Sequence, residues 1–218
     1  MRWRAWGRGA HWGLLAVLMV NACHGGPDHP VSVAGPVGLT APRPPAGSGP
    51  GLTVPEPGSD GRYVTINSGI SEQEALWHVR SALNVAALSC RGQPGGAALV
   101  KHYNVLLVQR RAVLARAYAA ETGRFATAGK GAIDAHLTRL YNFFALPSAQ
   151  PGFCAAAVEV ADHVDTVPPA GLPRYAAGAL DRLEAPILDY YRAYGVYRRQ
   201  LAAWNARSQA ARADRSHR

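Results

Sequence analysis

The sequence predicts an all-α domain, a bundle of five or six helices, on three observations. Apolar residues recur at spacings of three and four through most of residues 71–206, the period of a helix with one buried face. Glycine and proline punctuate these runs where short interhelical loops belong. Alternating apolar and polar residues, the mark of a half-buried strand, form no convincing series.

Two appendages precede the bundle, which is expected over residues 61–206. Arg2, Arg4 and Arg8 make a positive n-region, and Gly13 to Val20 makes an apolar run too short to cross ~30 Å of hydrocarbon as a helix. Residues 1–22 therefore read as a signal peptide. Residues 23–60 alternate nine prolines with glycines and carry scarcely any large apolar side chain. Such a segment buries too little surface to offset its ordering entropy and should be a disordered tether.

The first helix carries its own start and stop signals. Ser71 and Glu74 have capping-box spacing, and Glu72 and Glu74 suit the positive end of the helix dipole. Leu76, Val79, Leu83, Ala87 and Cys90 line one side. Arg91 suits the last carbonyls, Gly92 a left-handed cap, and Pro94 ends the run. A second helix is expected from about Ala97 to Thr122, closed by Gly123, and a third over Ile133 to Phe144, stopped by Pro147. The fourth starts near Pro151, with Ala156, Val160, His163 and Val164 on one side, and stops before Pro168. Pro173 suits the first turn of a fifth helix. Pro186 should kink or break it, because proline lacks the amide hydrogen and clashes with the carbonyl four residues back. Beyond it Ile187, Tyr190, Tyr194, Tyr197, Leu201 and Trp204 form a heptad-like seam. Residues 207–218 read as a basic, disordered tail.

Val20-Asn21-Ala22-Cys23 resembles the lipobox of bacterial lipoproteins. The resemblance implies acylation of Cys23 and, with His24 next, an outer-membrane destination facing the periplasm. An ordinary signal-peptidase site after Ala22 leaves a soluble periplasmic protein instead; both readings imply export. The remaining pair, Cys90 and Cys154, then lies in an oxidising compartment and is expected to form a disulfide between one end of the first helix and the start of the fourth. ALNVAALSC, RLYNFF and GFC at residues 82–90, 139–144 and 152–154 are similar to uncharacterised exported helical proteins of Gram-negative bacteria, which implies fold and location but no activity.

Catalytic and cofactor signatures are sparse. GRFATAGKG at residues 123–131 has the wrong glycine spacing and context for a phosphate loop. His78, His102, His136 and His163 fall one on each of the first four helices, a distribution from which a bundle could build a metal or haem site. Helical phase places His78 opposite Leu76, Val79 and Leu83, with His102 and His136 flanking their apolar faces. No metal site or cofactor is expected from them, and only His163 shares an apolar face as a weak candidate ligand. Glu159, Asp162 and Asp165 near His163 could supply acid and base, although an acidic line on the wet side of a helix is commoner.

The full chain carries a formal charge of +9. Removing residues 1–22 takes away three arginines and no acid, leaving +6. That excess collects at the end of the chain, where Arg192, Arg198, Arg199, Arg207, Arg212, Arg215 and Arg218 face Asp214 alone. Anionic lipid headgroups or acidic envelope polymers suit these arginines better than specific nucleic acid. The sequence therefore points to a non-enzymatic cell-envelope protein, held at the membrane through a lipidated Cys23, that acts by binding a surface or an unknown protein partner. The alternative is a haem- or metal-binding or enzymatic bundle using His163 and the Glu159/Asp162 line.

Overall fold

A computed structural model describes residues 40–49 and 52–217. The expected signal peptide, Cys23 and the tether up to residue 39 lie outside the described residues, as does Arg218. Among the described residues the structure is all-helical, with six α-helices: α1 (Glu72–Ser89), α2 (Gly96–Gln109), α3 (Arg111–Gly123), α4 (Ala132–Phe144), α5 (Gln150–Val164) and α6 (Leu172–Ser216). No described helix is long and apolar enough to cross a membrane.

α1 is the central helix. The Ser71 Oγ accepts from the Glu74 amide at 3.3 Å while the Glu74 carboxylate accepts from the Ser71 amide at 2.6 Å, so the capping box is complete. The other five α-helices all pack on α1, and its buried residues are not confined to one side. Leu76, Val79 and Leu83 are fully buried, and so are His78 and Ser81.

The stop of α1 differs from its sequence reading. Arg91 does return its guanidinium to the Ala87 carbonyl at 3.1 Å. The left-handed residue, however, is Gly95 (φ 79°), which opens α2, and not Gly92. A Cβ on Gly95 would lie 2.7 Å from Val158, and one on Gly96 would lie 2.2 Å from the Cys90 carbonyl oxygen. The turn is thus built on two glycines with no room for a side chain.

The second predicted helix is two. The chain bends at Arg110 (φ −111°, ψ 15°), which lets α2 lie mainly on α5 while α3 lies mainly on α1. Arg110 occupies the bend because its Nη2 donates to the carbonyls of Asp165 and Val167 beyond the end of α5, at 2.8 and 3.3 Å. Pro186, expected to break the last helix, lies inside α6, which runs unbroken for 45 residues. An internal proline costs about 3 kcal/mol or more. Here its ring fills the space over Gly152 of α5, where a Cβ would stand 3.0 Å away, and the flanking Leu183 and Ile187 are fully buried. Tertiary packing on both sides of the proline holds the helix continuous.

Two further expectations shift at the ends of the domain. The last part of the anticipated tether touches the bundle: Leu52 and Val54 pack against the core, Ser48 hydrogen-bonds Tyr190 at 2.8 Å, and Glu56 pairs with Arg198. The anticipated disordered tail is helical through Ser216, although among the described residues α6 buries no side chain beyond Tyr191.

Cys90 and Cys154 are joined by a disulfide, with their Cα atoms 5.5 Å apart. It ties the C-terminal end of α1 to the first turn of α5, next to the stacked and buried Phe144 and Phe153. Closing a loop of 64 residues restricts the unfolded chain by about 4 kcal/mol in the entropy model. The Cys90→Ala/Cys154→Ala double variant should unfold at clearly lower urea concentration by circular dichroism, with a loss of roughly 2 to 4 kcal/mol. A midpoint equal to that of the oxidised wild type would show that the bridge contributes nothing.

Candidate functional site

The burial of α1 on more than one side places His78 among polar partners. Its neighbours come from four different places in the chain. Asn67 precedes α1, Glu184 lies on α6, Glu121 on the last turn of α3, and His136 on α4. The Asn67 Nδ2 donates to a Glu184 carboxylate oxygen at 3.2 Å, which fixes the amide so that its Oδ1 faces the His78 Nδ1 at 2.7 Å. The His78 Nδ1 must then be the donor, and its Nε2 faces the Glu121 Oε1 at 3.3 Å.

The Glu121 and His78 side chains are completely inaccessible to solvent, and that of His136 is 6% exposed. The His136 Nε2 approaches the same Glu121 Oε1 at 2.5 Å, but without hydrogen-bond alignment. Both the His136 Nε2 and the Glu121 Oε2 are left without a hydrogen-bond partner. Around the three residues stand Phe125, whose ring lies 4.7 Å from that of His136, and Arg124, which pairs with Glu74 at 3.0 Å. Burial pushes the Glu121 carboxyl up, yet its interaction with His78 and the charges of His136 and Arg124 hold it below its ordinary value. For His136, burial outweighs the pull of Glu121, and with His78 and Arg124 acting in the same direction its imidazole is held below its ordinary value.

This corrects the sequence reading of His78 and His136. Helical phase put His78 on a wet side because a single apolar face was assumed for the first helix; α3, α4 and the preceding segment cover the second face. In the sequence Glu74 and Ser81 read as ordinary polar positions, and the cover over that face comes from helices far along the chain. His163, by contrast, is exposed, and its Nδ1 meets only the Glu159 carbonyl of its own helix at 2.9 Å. α5 is rotated so that Ala157, Val160, Ala161 and Val164 face inward. Asp162 and Asp165 do find a histidine, but it is His102 of α2, at 3.4 and 2.8 Å. Glu159 is exposed, and the anticipated line of acids does not converge on His163.

The arginines expected to meet an anionic surface lie along the outer half of α6. Arg198 is taken by Glu56. Arg199, Arg207 and Arg212 are exposed and have no ion-pair partner among the described residues. Arg215 is helical, and its side chain lies outside the described residues, with Arg218. In the tyrosine seam Tyr190 is buried, while Tyr194 and Tyr197 are half-buried; Tyr194 stacks on Tyr190 at 6.1 Å, and Tyr197 meets Tyr194 at a tilt at 5.7 Å. The half-buried Tyr63 of the preceding segment leans on Tyr191 at 5.5 Å.

The chain matches no protein-family model, no curated protein and no solved structure. Its functional reading therefore rests on these residues.

Removing the Glu121 carboxylate would leave the two imidazoles facing an uncompensated buried gap. Glu121→Ala should cost about 3 to 5 kcal/mol in urea unfolding, against less than about 0.5 kcal/mol for His163→Ala on the exposed face of α5. Equal costs for the two substitutions would contradict the assignment of His78, Glu121 and His136 as one coupled unit.

Proposed function

We propose that the chain is an exported, non-enzymatic protein of the cell envelope, anchored through an acylated Cys23, whose helical domain acts by binding an anionic lipid surface. The observation that carries this reading is the outer half of α6. From Arg192 to Ser216, a length of roughly 37 Å at 1.5 Å per residue, the helix has no buried side chain among the described residues. Along it run six arginines and one aspartate. Arg199, Arg207 and Arg212 have no intramolecular ion pair among the described residues, so their charge is available to an external anion. A basic helix of this kind is drawn to anionic headgroups by a few favourable contacts that salt screens.

The competing reading, a metal, haem or catalytic group on His163, Glu159 and Asp162, finds no support from their geometry. His163 is bound to its own helix, and Asp162 is directed to His102.

Sedimentation with vesicles tests the proposal. The mature protein should bind vesicles rich in anionic lipid at low salt and release at about 0.5 M salt, where the Debye length falls well below 8 Å. A chain lacking residues 207–218 should lose most of that salt-sensitive binding, and an excess of a soluble acidic polymer should not displace the full-length protein. Retention unchanged by the truncation would refute a role for the arm; displacement by the polymer would reassign its target. Mass spectrometry of the same membrane-derived protein should find Cys23 diacylglyceryl-modified, and an unmodified Cys23 in retained protein would remove the anchor from the proposal.

A further inference from the structure

We propose that His78, Glu121 and His136 form a binding site for a divalent transition-metal ion of the zinc class. Each offers one donor atom, and all three donors lie within 4.8 Å of one another. Ligands on one tetrahedral zinc, at about 2.0 to 2.1 Å from the metal, stand roughly 3.3 Å apart. The His78 Nε2 and Glu121 Oε1 are 3.3 Å apart. The His136 Nε2 is closer to that oxygen, at 2.5 Å, and the unpartnered Oε2 gives the carboxylate a second oxygen to turn toward an ion.

Within this centre, two polar atoms left without a hydrogen-bond partner, the Glu121 Oε2 and the His136 Nε2, are ones a metal could use. A proton on the His78 Nε2 would settle its contact with Glu121 but would leave the Glu121 Oε2 and His136 Nε2 without partners. Buried polar atoms with no partner cost about 1 to 3 kcal/mol each. A divalent cation engages both imidazoles and the carboxylate together and neutralises the buried negative charge.

The surroundings are arranged as an outer shell. Metal-binding histidines almost always donate the other ring N–H to a carbonyl or carboxylate, which fixes ring orientation and strengthens the ligand. His78 does so to Asn67, whose amide is held in turn by Glu184. That relay leaves the Nε2 lone pair aimed at the centre. Two imidazole nitrogens and one carboxylate oxygen suit zinc and its first-row neighbours; calcium and magnesium prefer six or more oxygen ligands. On its outer side His136 borders an open cleft of about 540 Å³ lined also by Thr65, Ser68, Arg124 and Arg139. The site is independent of the surface-binding arm of α6, and either assignment can fail alone.

Untagged mature protein, stripped with chelator and titrated with zinc chloride by calorimetry, should take up one equivalent. Cobalt chloride should give the visible absorption of a four- or five-coordinate centre. Glu121→Gln and His136→Gln should abolish uptake, with folding checked by circular dichroism, and His163→Ala should leave it unchanged. Asn67→Ala, at a half-buried position outside the ligand set, should remain folded and bind zinc about 10- to 100-fold more weakly. A wild-type protein that takes up no zinc and shows no cobalt band overturns the assignment and leaves a buried acid–base cluster. So does uptake lost equally on changing His163, or affinity undiminished in folded Asn67→Ala.

Discussion

The burial of α1 on more than one side is the constraint on which the rest of the structure depends. A helix with one apolar face needs partners on one side only; α1 is covered by the other five α-helices and by the segment before it. Polar residues on its covered faces then depend on partners inside the protein. Glu74 meets this through the capping box and Arg124, and His78 through Asn67 and Glu121. Arg80, half-buried two residues further on, donates to the Tyr141 hydroxyl of α4 at 2.7 Å and lies over the Trp77 ring. The polar contacts of α1 thus select which helices surround it and in what rotation.

The two ends of α1 are held by different means. At its start a local capping motif suffices, because Ser71 and Glu74 are three residues apart. At its end the disulfide to α5 and the Gly95–Gly96 turn fix the chain reversal into α2. Gly95 admits Val158 of α5, and Gly152 of the same helix admits Pro186 of α6. α5 is therefore seated between its neighbours by close approaches at both sites. This seating lets a proline persist in the middle of a 45-residue helix.

The interior and the periphery offer opposite electrostatic settings. Around His78, Glu121 and His136 there is no solvent to screen charge, so donors that face one another without a cation are costly and an ion there would be held tightly. Along the outer half of α6, Arg199, Arg207 and Arg212 are exposed, and the attraction of such arginines to an anionic surface is weak, additive and sensitive to salt. A buried centre and an exposed basic arm can coexist in one small domain because they share no residue.

Much of the architecture was legible in the sequence. The spacing of apolar residues determined the helical class, Ser71 and Glu74 the start of α1, Pro151 and Pro173 the first turns of α5 and α6, and the two inward-facing cysteines their bridge. These are local signals, or a pairing with one available partner. The sequence could not show that α2 and α3 part at Arg110, because the cause is a carbonyl pair at the end of α5, more than fifty residues away. Nor could it show that Pro186 stays helical, since Gly152 and the buried Leu183 and Ile187 hold it there. The histidines make the same point: a helical wheel assigns one wet face, but only the packing of α3 and α4 decides whether that face meets water. Periodicity is a property of one segment and was readable from it; burial of a second face, and the meeting of His78, Glu121 and His136, belong to contacts between segments and were decided by the tertiary structure alone.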